Sequence, residues 1–127
     1  MEVRMIVAFS RKIKNDYKLS LAEVAKEVNA EVGPRYKHHK DEYLRFKKTI
    51  KNDQGFGFDV SESLLKQAKK QQKKINKLFG ANKVTFTVVI YSEGYVNPRF
   101  CCAQRVSKLL LDLNADLHVD IYCTRKK

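Results

Sequence analysis

The sequence predicts an α+β domain: a ferredoxin-like split β-α-β sandwich with an additional C-terminal helix and strand, its helices on one face of a mostly antiparallel sheet. Three observations carry that prediction. Apolar and polar residues alternate at period two in several short segments, the repeat of a half-buried strand. Between them lie stretches whose apolar residues recur at helical spacing, two of them opened by a serine. The elements then follow one another as β-α-β-β-α-β-α-β, which holds the split β-α-β series once and leaves a helix and a strand over.

In residues 3–9, Val3, Met5, Val7 and Phe9 share one face, so this segment opens the sheet. Ser20 caps the first helix, with Glu23 at the capping-box position and Leu21, Val24, Ala25 and Val28 at helical spacing. Gly33-Pro34 is expected to close it. Residues 35–41 (RYKHHKD) read as a polar loop, after which Leu44 and Phe46 alternate with Tyr43, Arg45 and Lys47 as a second strand, placed at an edge by its lysines. A turn at 52–55 (NDQG) predicts a hairpin to a third strand of Phe56, Phe58 and Val60. Ser61 starts the longest helix, in which Leu64, Leu65, Ala68, Ile75, Leu78 and Phe79 fall on one side and Gly80 supplies the stop. Residues 84–91 (VTFTVVIY) are the clearest strand, rich in β-branched side chains and expected near the centre. Gly94 and Pro98 mark a loop, and a helix over about 103–113 and a strand over 117–122 complete the chain.

The 127 residues suit a single α+β domain over 1–127, and with 43% apolar and 31% charged residues the composition is globular. No stretch is long enough to span a bilayer, and the N-terminus has no basic segment followed by an apolar run, so secretion and membrane insertion are not expected. Cys101, Cys102 and Cys123 are odd in number and lack C-x-x-C spacing. They are expected as core or half-buried thiols in a reducing cytoplasm, with no disulfide framework and no zinc site.

Twenty-six Lys and Arg against fourteen Asp and Glu give a formal charge of +12, a field that favours polyanions. The sharpest local feature is on the long helix. Lys66, Lys69, Lys70, Lys73, Lys74 and Lys77 lie within an arc of roughly 140°, opposite the apolar stripe. No Asp or Glu lies within 64–80 to relieve their repulsion. This face is either a solvated surface or a site for a nucleic-acid backbone or an acidic protein, with Arg35, Lys37, Lys47, Lys48 and the basic tail 125–127 as auxiliary contacts.

On the last strand His118, Asp120 and Tyr122 share a face. They fit contacts on an open sheet face, and the imidazole beside a carboxylate also invites an acid–base reading, for which no nucleophile can be placed. His38 and His39 sit in a charged loop and read as solvated residues; no metal site and no cofactor is expected. Walker A, G-x-S-x-G and H-E-x-x-H sequences are absent. The expectation is therefore a non-enzymatic binding domain.

Gln54-Gly55-Phe56-Gly57-Phe58 resembles the aromatic strand of RNA-recognition motifs, where exposed Phe side chains stack on bases, while two Phe one residue apart also read, and more often, as a core-facing pair on a half-buried strand. It departs from that pattern at Gln54, Asp59 and Ser61. A broader likeness covers most of the chain. The run 84–91, the loop 94–98 and above all 109–122 (LLLDLNADLHVDIY) resemble the end of the bacterial domain of unknown function 4279 family, which closes on a similar strand. Phe58-Asp59-Val60 before the long helix, and 21–34, resemble its upstream parts. That resemblance implies an interaction domain, with a suggested role in immunity against toxins. The alternative expectation is an immunity-type or anti-defence inhibitor that docks on a protein through the open sheet face, with Phe56, Phe58, His118, Asp120 and Tyr122 as candidate contacts. The charge departs from the acidic surfaces of nuclease-neutralising immunity proteins, so an acidic target is implied.

Overall fold

A period-two row needs a matching row beside it, and the register shows where each row finds one. The computed structural model describes residues 1–35, 38, 40–51, 57–93 and 99–124. Strand β1 (Glu2–Lys12) buries Val3, Met5, Val7 and Phe9 on one face. Strand β3 (Asp41–Lys51) runs antiparallel along it with Val7 opposite Phe46 and Phe9 opposite Leu44, and Phe9 and Phe46 meet edge to face at 6.3 Å. On the other side β5 (Lys83–Glu93) is also antiparallel, with Phe86, Val88 and Ile90 opposite Val7, Met5 and Val3. These rows form one buried layer.

Helix α1 (Leu21–Val28) starts as expected, with the reciprocal Ser20/Glu23 capping box in place. It stops earlier than Gly33-Pro34. Asn29 takes the left-handed conformation at φ 57°, and Glu31–Val32 then forms the short strand β2 against β3. Gly33 is needed at the end of this pairing: its N–H donates to the Tyr43 carbonyl, and a Cβ there would stand 2.8 Å from the Tyr43 Cβ.

Helix α2 (Glu62–Leu78) is capped by the Ser61 hydroxyl, which accepts from the Leu64 N–H, and ends before Gly80 at φ 67°. It buries Leu64, Leu65, Ala68 and Ile75 against the sheet, followed by Phe79. Helix α3 (Gln104–Leu113) buries Val106 and Leu113 and turns through Asn114, φ 53°, directly into β7 (Ala115–Thr124). Strand β7 is parallel to β5.

The main sheet has the order β2-β3-β1-β5-β7 and is antiparallel except for its last pair. Because β3 and β5 both run against β1, they are parallel to each other, and α2 connects them across β1. The fold is thus α+β, with a mostly antiparallel five-stranded sheet and three helices among the described residues. The hairpin expected between 44–47 and 56–60 does not form. Gly57–Asp59 is a three-residue strand, β4, which pairs in parallel with β6 (Arg99–Cys101) as a separate two-stranded sheet. Strand β3 is not a full edge either: β1 flanks it throughout, and β2 covers its other side at Leu44 and Arg45.

Candidate polyanion interface

The six lysines of α2 stand in solvent because the helix spends its apolar stripe on the sheet, leaving the opposite side outward. All six are exposed. The absence of Asp and Glu over 64–80 is partly made good by Glu62 in the first turn of α2 and by the neighbouring helices. Lys66 pairs with Glu62 at 3.2 Å, Lys69 with Asp112 of α3 at 2.8 Å, and Lys74 with Glu27 of α1 at 3.7 Å while also donating to the Glu27 carbonyl. Lys70, Lys73 and Lys77 have no carboxylate partner among the described residues. Spaced i, i+3 and i+7, they form one ridge along the middle of the face.

Lys69 and Lys74 lock α2 to its neighbours, and Lys66 shares Glu62 with Arg105 of α3. Arg105 of α3 donates to Glu62 at 2.7 Å, and Gln72 donates to the Leu113 carbonyl at 3.1 Å. The Arg105 hydrogen bond, with that of Lys66, holds the Glu62 carboxyl below its usual range, and Glu62 in turn raises Arg105. The hydrogen bond from Lys69 lowers Asp112 in the same way. Half of the lysine face therefore works as a brace, and the ridge between the braces keeps its charge free.

The auxiliary cations divide between the two sides of the sheet. Lys48 reaches α2, where its Nζ lies 3.4 Å from the Ser63 hydroxyl. Lys47 is the next residue on a strand whose even positions face the helices, so it belongs to the opposite face and cannot extend the ridge. Arg35 is exposed, whereas Lys37 and 125–127 lie outside the described residues.

The open face is different in character. His118, Asp120 and Tyr122 project from it, opposite Thr87, Val89 and Tyr91 of β5. Tyr122 stacks on Tyr91 with centroids 5.4 Å apart, and the Arg4 guanidinium lies 5.0 Å from the centre of the Tyr91 ring. Sequence reasoning missed Tyr91 and Arg4, although their alternation with the buried rows of β1 and β5 places both on this face. Phe58 does not join them. It is half-buried on β4, packed against the core and stacked on Phe100 at 5.7 Å. That packing is the core-facing one of the two readings, and the base-stacking and sheet-face placement of Phe58 is corrected, because β4 is no strand of the main sheet; Phe56 lies outside the described residues.

A cleft of about 370 Å³ at the start of α2 is lined by Lys48, Asp59, Ser61, Glu62 and Arg105 among others, and a second by Gln72, Asn76, Asn82, Lys83 and Asp116. His118 lines neither. Cys101 and Cys123 are exposed, against the expectation of core or half-buried thiols, whereas Cys102 is half-buried as expected; none forms a disulfide. Among the described residues no group of three or more His, Cys, Asp or Glu is placed to hold a metal ion, and no helix is long and apolar enough to cross a membrane. His39 falls outside those residues. No family model, no curated protein and no solved structure matches this chain.

Proposed function

We propose that the protein is a non-enzymatic, cytoplasmic binding domain whose α2 face engages a polyanion, in the first place a nucleic-acid backbone. The framework that presents this face is a ferredoxin-like unit of β1, α1, β2, β3, α2 and β5, extended by α3 and β7. The observation that carries the reading is the ridge of Lys70, Lys73 and Lys77, exposed and without carboxylate partners among the described residues, on a helix whose other lysines already serve as braces. Keeping three like charges in register costs stability. A phosphate chain lying along the ridge removes that cost and releases its counterions.

Such contacts position a ligand without reading its sequence, so affinity depends on length and salt more than on base composition. Three phosphates neutralised by the ridge give a slope of log K against log salt of about −3, and all six lysines about −5. The test is fluorescence anisotropy with short single-stranded RNA, single-stranded DNA and duplex DNA at two salt concentrations. The triple variant Lys70→Glu/Lys73→Glu/Lys77→Glu is expected to lose binding while keeping the parent's circular dichroism. Equal binding by this variant removes α2 as the site. Binding by none of the three nucleic acids at low salt transfers the ridge to an acidic protein.

A second reading is favoured by the Tyr91–Tyr122 stack and Arg4 on the open face, since Tyr and Arg are the residues that most often anchor protein interfaces. It fits an immunity-type or anti-defence inhibitor docking through the sheet, with Tyr91 and Arg4 in place of Phe58. Its signature is a stoichiometric protein complex that survives about 300 mM salt, where phosphate contacts are weak. Loss of that complex on Tyr122→Ala and Tyr91→Ala supports it, and capture unaffected by both changes discards it.

A further inference from the structure

The main sheet ends on β7, and among the described residues nothing pairs with the outer edge of that strand. The opposite side of the sheet is protected: beyond its short pairing with β2, β3 carries Lys47, Lys48 and Lys51, the charge that discourages an incoming strand. Strand β7 has no Lys, Arg or Pro, and neither cation occurs anywhere in 109–124. Its register with β5 sets Leu117, Val119 and Ile121 beside Phe86, Val88 and Ile90. The β5 residues are buried, yet their β7 neighbours are 49%, 37% and 51% exposed. A row that continues the core is left in water on a strand with a free backbone edge.

We propose that β7 pairs with β7 of a second copy of this chain, antiparallel about a twofold axis at Val119, so that two five-stranded sheets become one. The side-chain order of the strand identifies the occupant. In an antiparallel pair, directly opposite residues lie on the same face, so the axis of a symmetric pair falls on a residue. Placed at Val119, it sets Leu117 against the partner's Ile121 and Val119 against the partner's Val119. On the open face His118 then meets the partner's Asp120, and Asp120 meets the partner's His118. Moved to His118, the axis sets Asp116 against the partner's Asp120 and faces two imidazoles. Moved to Asp120, it opposes two carboxylates. Carboxylates directly opposite destabilise a pair, which disfavours both neighbouring registers, and an axis at Leu117 or Ile121 would pair fewer residues of the strand than the one at Val119. A surface that complements itself in this way is what an isologous dimer requires.

The charge of the molecule does not oppose this contact. At +12 two copies repel over most of their surface. The joined edges instead bring together the cation-free stretch, with Asp116 and Asp120 on each strand. The inference is independent of the polyanion reading, since the lysine ridge is on α2 and the edge is on β7.

The test is sedimentation equilibrium on the full chain across a wide range of protein concentration. The parent is expected to reach twice its 14.8 kDa chain mass. Val119→Lys, which sets two cations on the axis, His118→Asp, which sets carboxylates against the partner's Asp120, and Asp120→Lys, which takes away the carboxylate facing the partner's His118, are expected to weaken the dimer at least about tenfold. Mixing His118→Asp with Asp120→Lys restores opposite charges at both contacts, and the mixture is expected to form a heterodimer that neither variant forms alone. All three positions are solvent-exposed, and unchanged circular dichroism separates lost pairing from lost folding. A parent that stays monomeric throughout overturns the proposal. A dimer that survives Val119→Lys, or a mixture of the two charge variants that stays monomeric, overturns it equally.

Discussion

Arg11 is the largest fully buried side chain in the structure, 1% exposed, and a guanidinium is held there only by satisfying its donors. Its Nε donates to Glu42 Oε1 at 2.7 Å, Nη1 to the Phe79 carbonyl at 3.3 Å and Nη2 to the Leu19 carbonyl at 3.3 Å. The rings of Tyr17 and Phe79 lie 3.7 and 4.3 Å from its central carbon. One residue thus ties the end of β1 to the start of β3, the C-terminus of α2 and the segment entering α1. Removing one partner of a buried pair leaves the other charge uncompensated, so Glu42→Ala is expected to cost about 3 kcal/mol in urea unfolding. Asp116→Ala, at the exposed pair with Lys83, is expected to cost under about 0.5 kcal/mol. Equal losses would show that burial does not set the value of these pairs. The Ser20/Glu23 box was legible in the sequence because a cap is made by residues three apart. Arg11 was not, because its acceptors lie 8, 31 and 68 positions away and nothing local marks them.

Elements were legible where one periodicity governs them and illegible where pairing does. The stripe on α2, the alternation in β1 and the β-branched run of β5 identified those elements. The partner of β4 was not legible, because residues 57–59 pair with residues 99–101 and a turn sequence at 52–55 points to the nearer strand instead. The lysine face was likewise legible as a face, while its braces from Glu27 and Asp112 became visible only once α1 and α3 were packed beside α2. This division of the face gives a prediction. Lys73→Glu places a carboxylate four residues before Lys77, the favourable order along a helix, and removes one repulsion. Thermal unfolding is expected to show a gain of a few tenths of a kcal/mol, about 0.3, while anisotropy shows weaker nucleic-acid binding. A loss on both measurements would mean that Lys73 supports the fold and is not held free for a ligand. At the other helix, Ser20→Ala removes the hydroxyl that accepts from the Glu23 N–H and is expected to cost about 1 kcal/mol.

Across the whole molecule the balance is between a surplus of cations and a few acidic residues placed to hold helices together. Glu62 and Asp112 are depressed by hydrogen bonds from Arg105 and Lys69, so in the folded state they stay ionised to lower pH than in the unfolded chain. A depressed carboxylate contributes stability that is complete above its unfolded value and is lost as pH falls through its folded one. Stability is therefore expected to hold steady from neutral pH down to about 5 and to fall below about 4, as the α2–α3 braces are protonated. Both carboxylates are at the surface, so the loss reflects the sum of many acids more than these two. Salt separates the two contributions. At neutral pH the net charge of +12 makes self-repulsion the larger long-range force, and added salt is expected to raise the melting temperature by screening it. At pH 3 fewer acids offset the twenty-six Lys and Arg, and the same increment of salt is expected to raise it further. Melts followed by circular dichroism at low and moderate salt at both pH values test the pair of statements. A melting temperature that falls with salt at neutral pH would show that ion pairs outweigh repulsion, and the lysine ridge would then carry no stored cost for a polyanion to relieve.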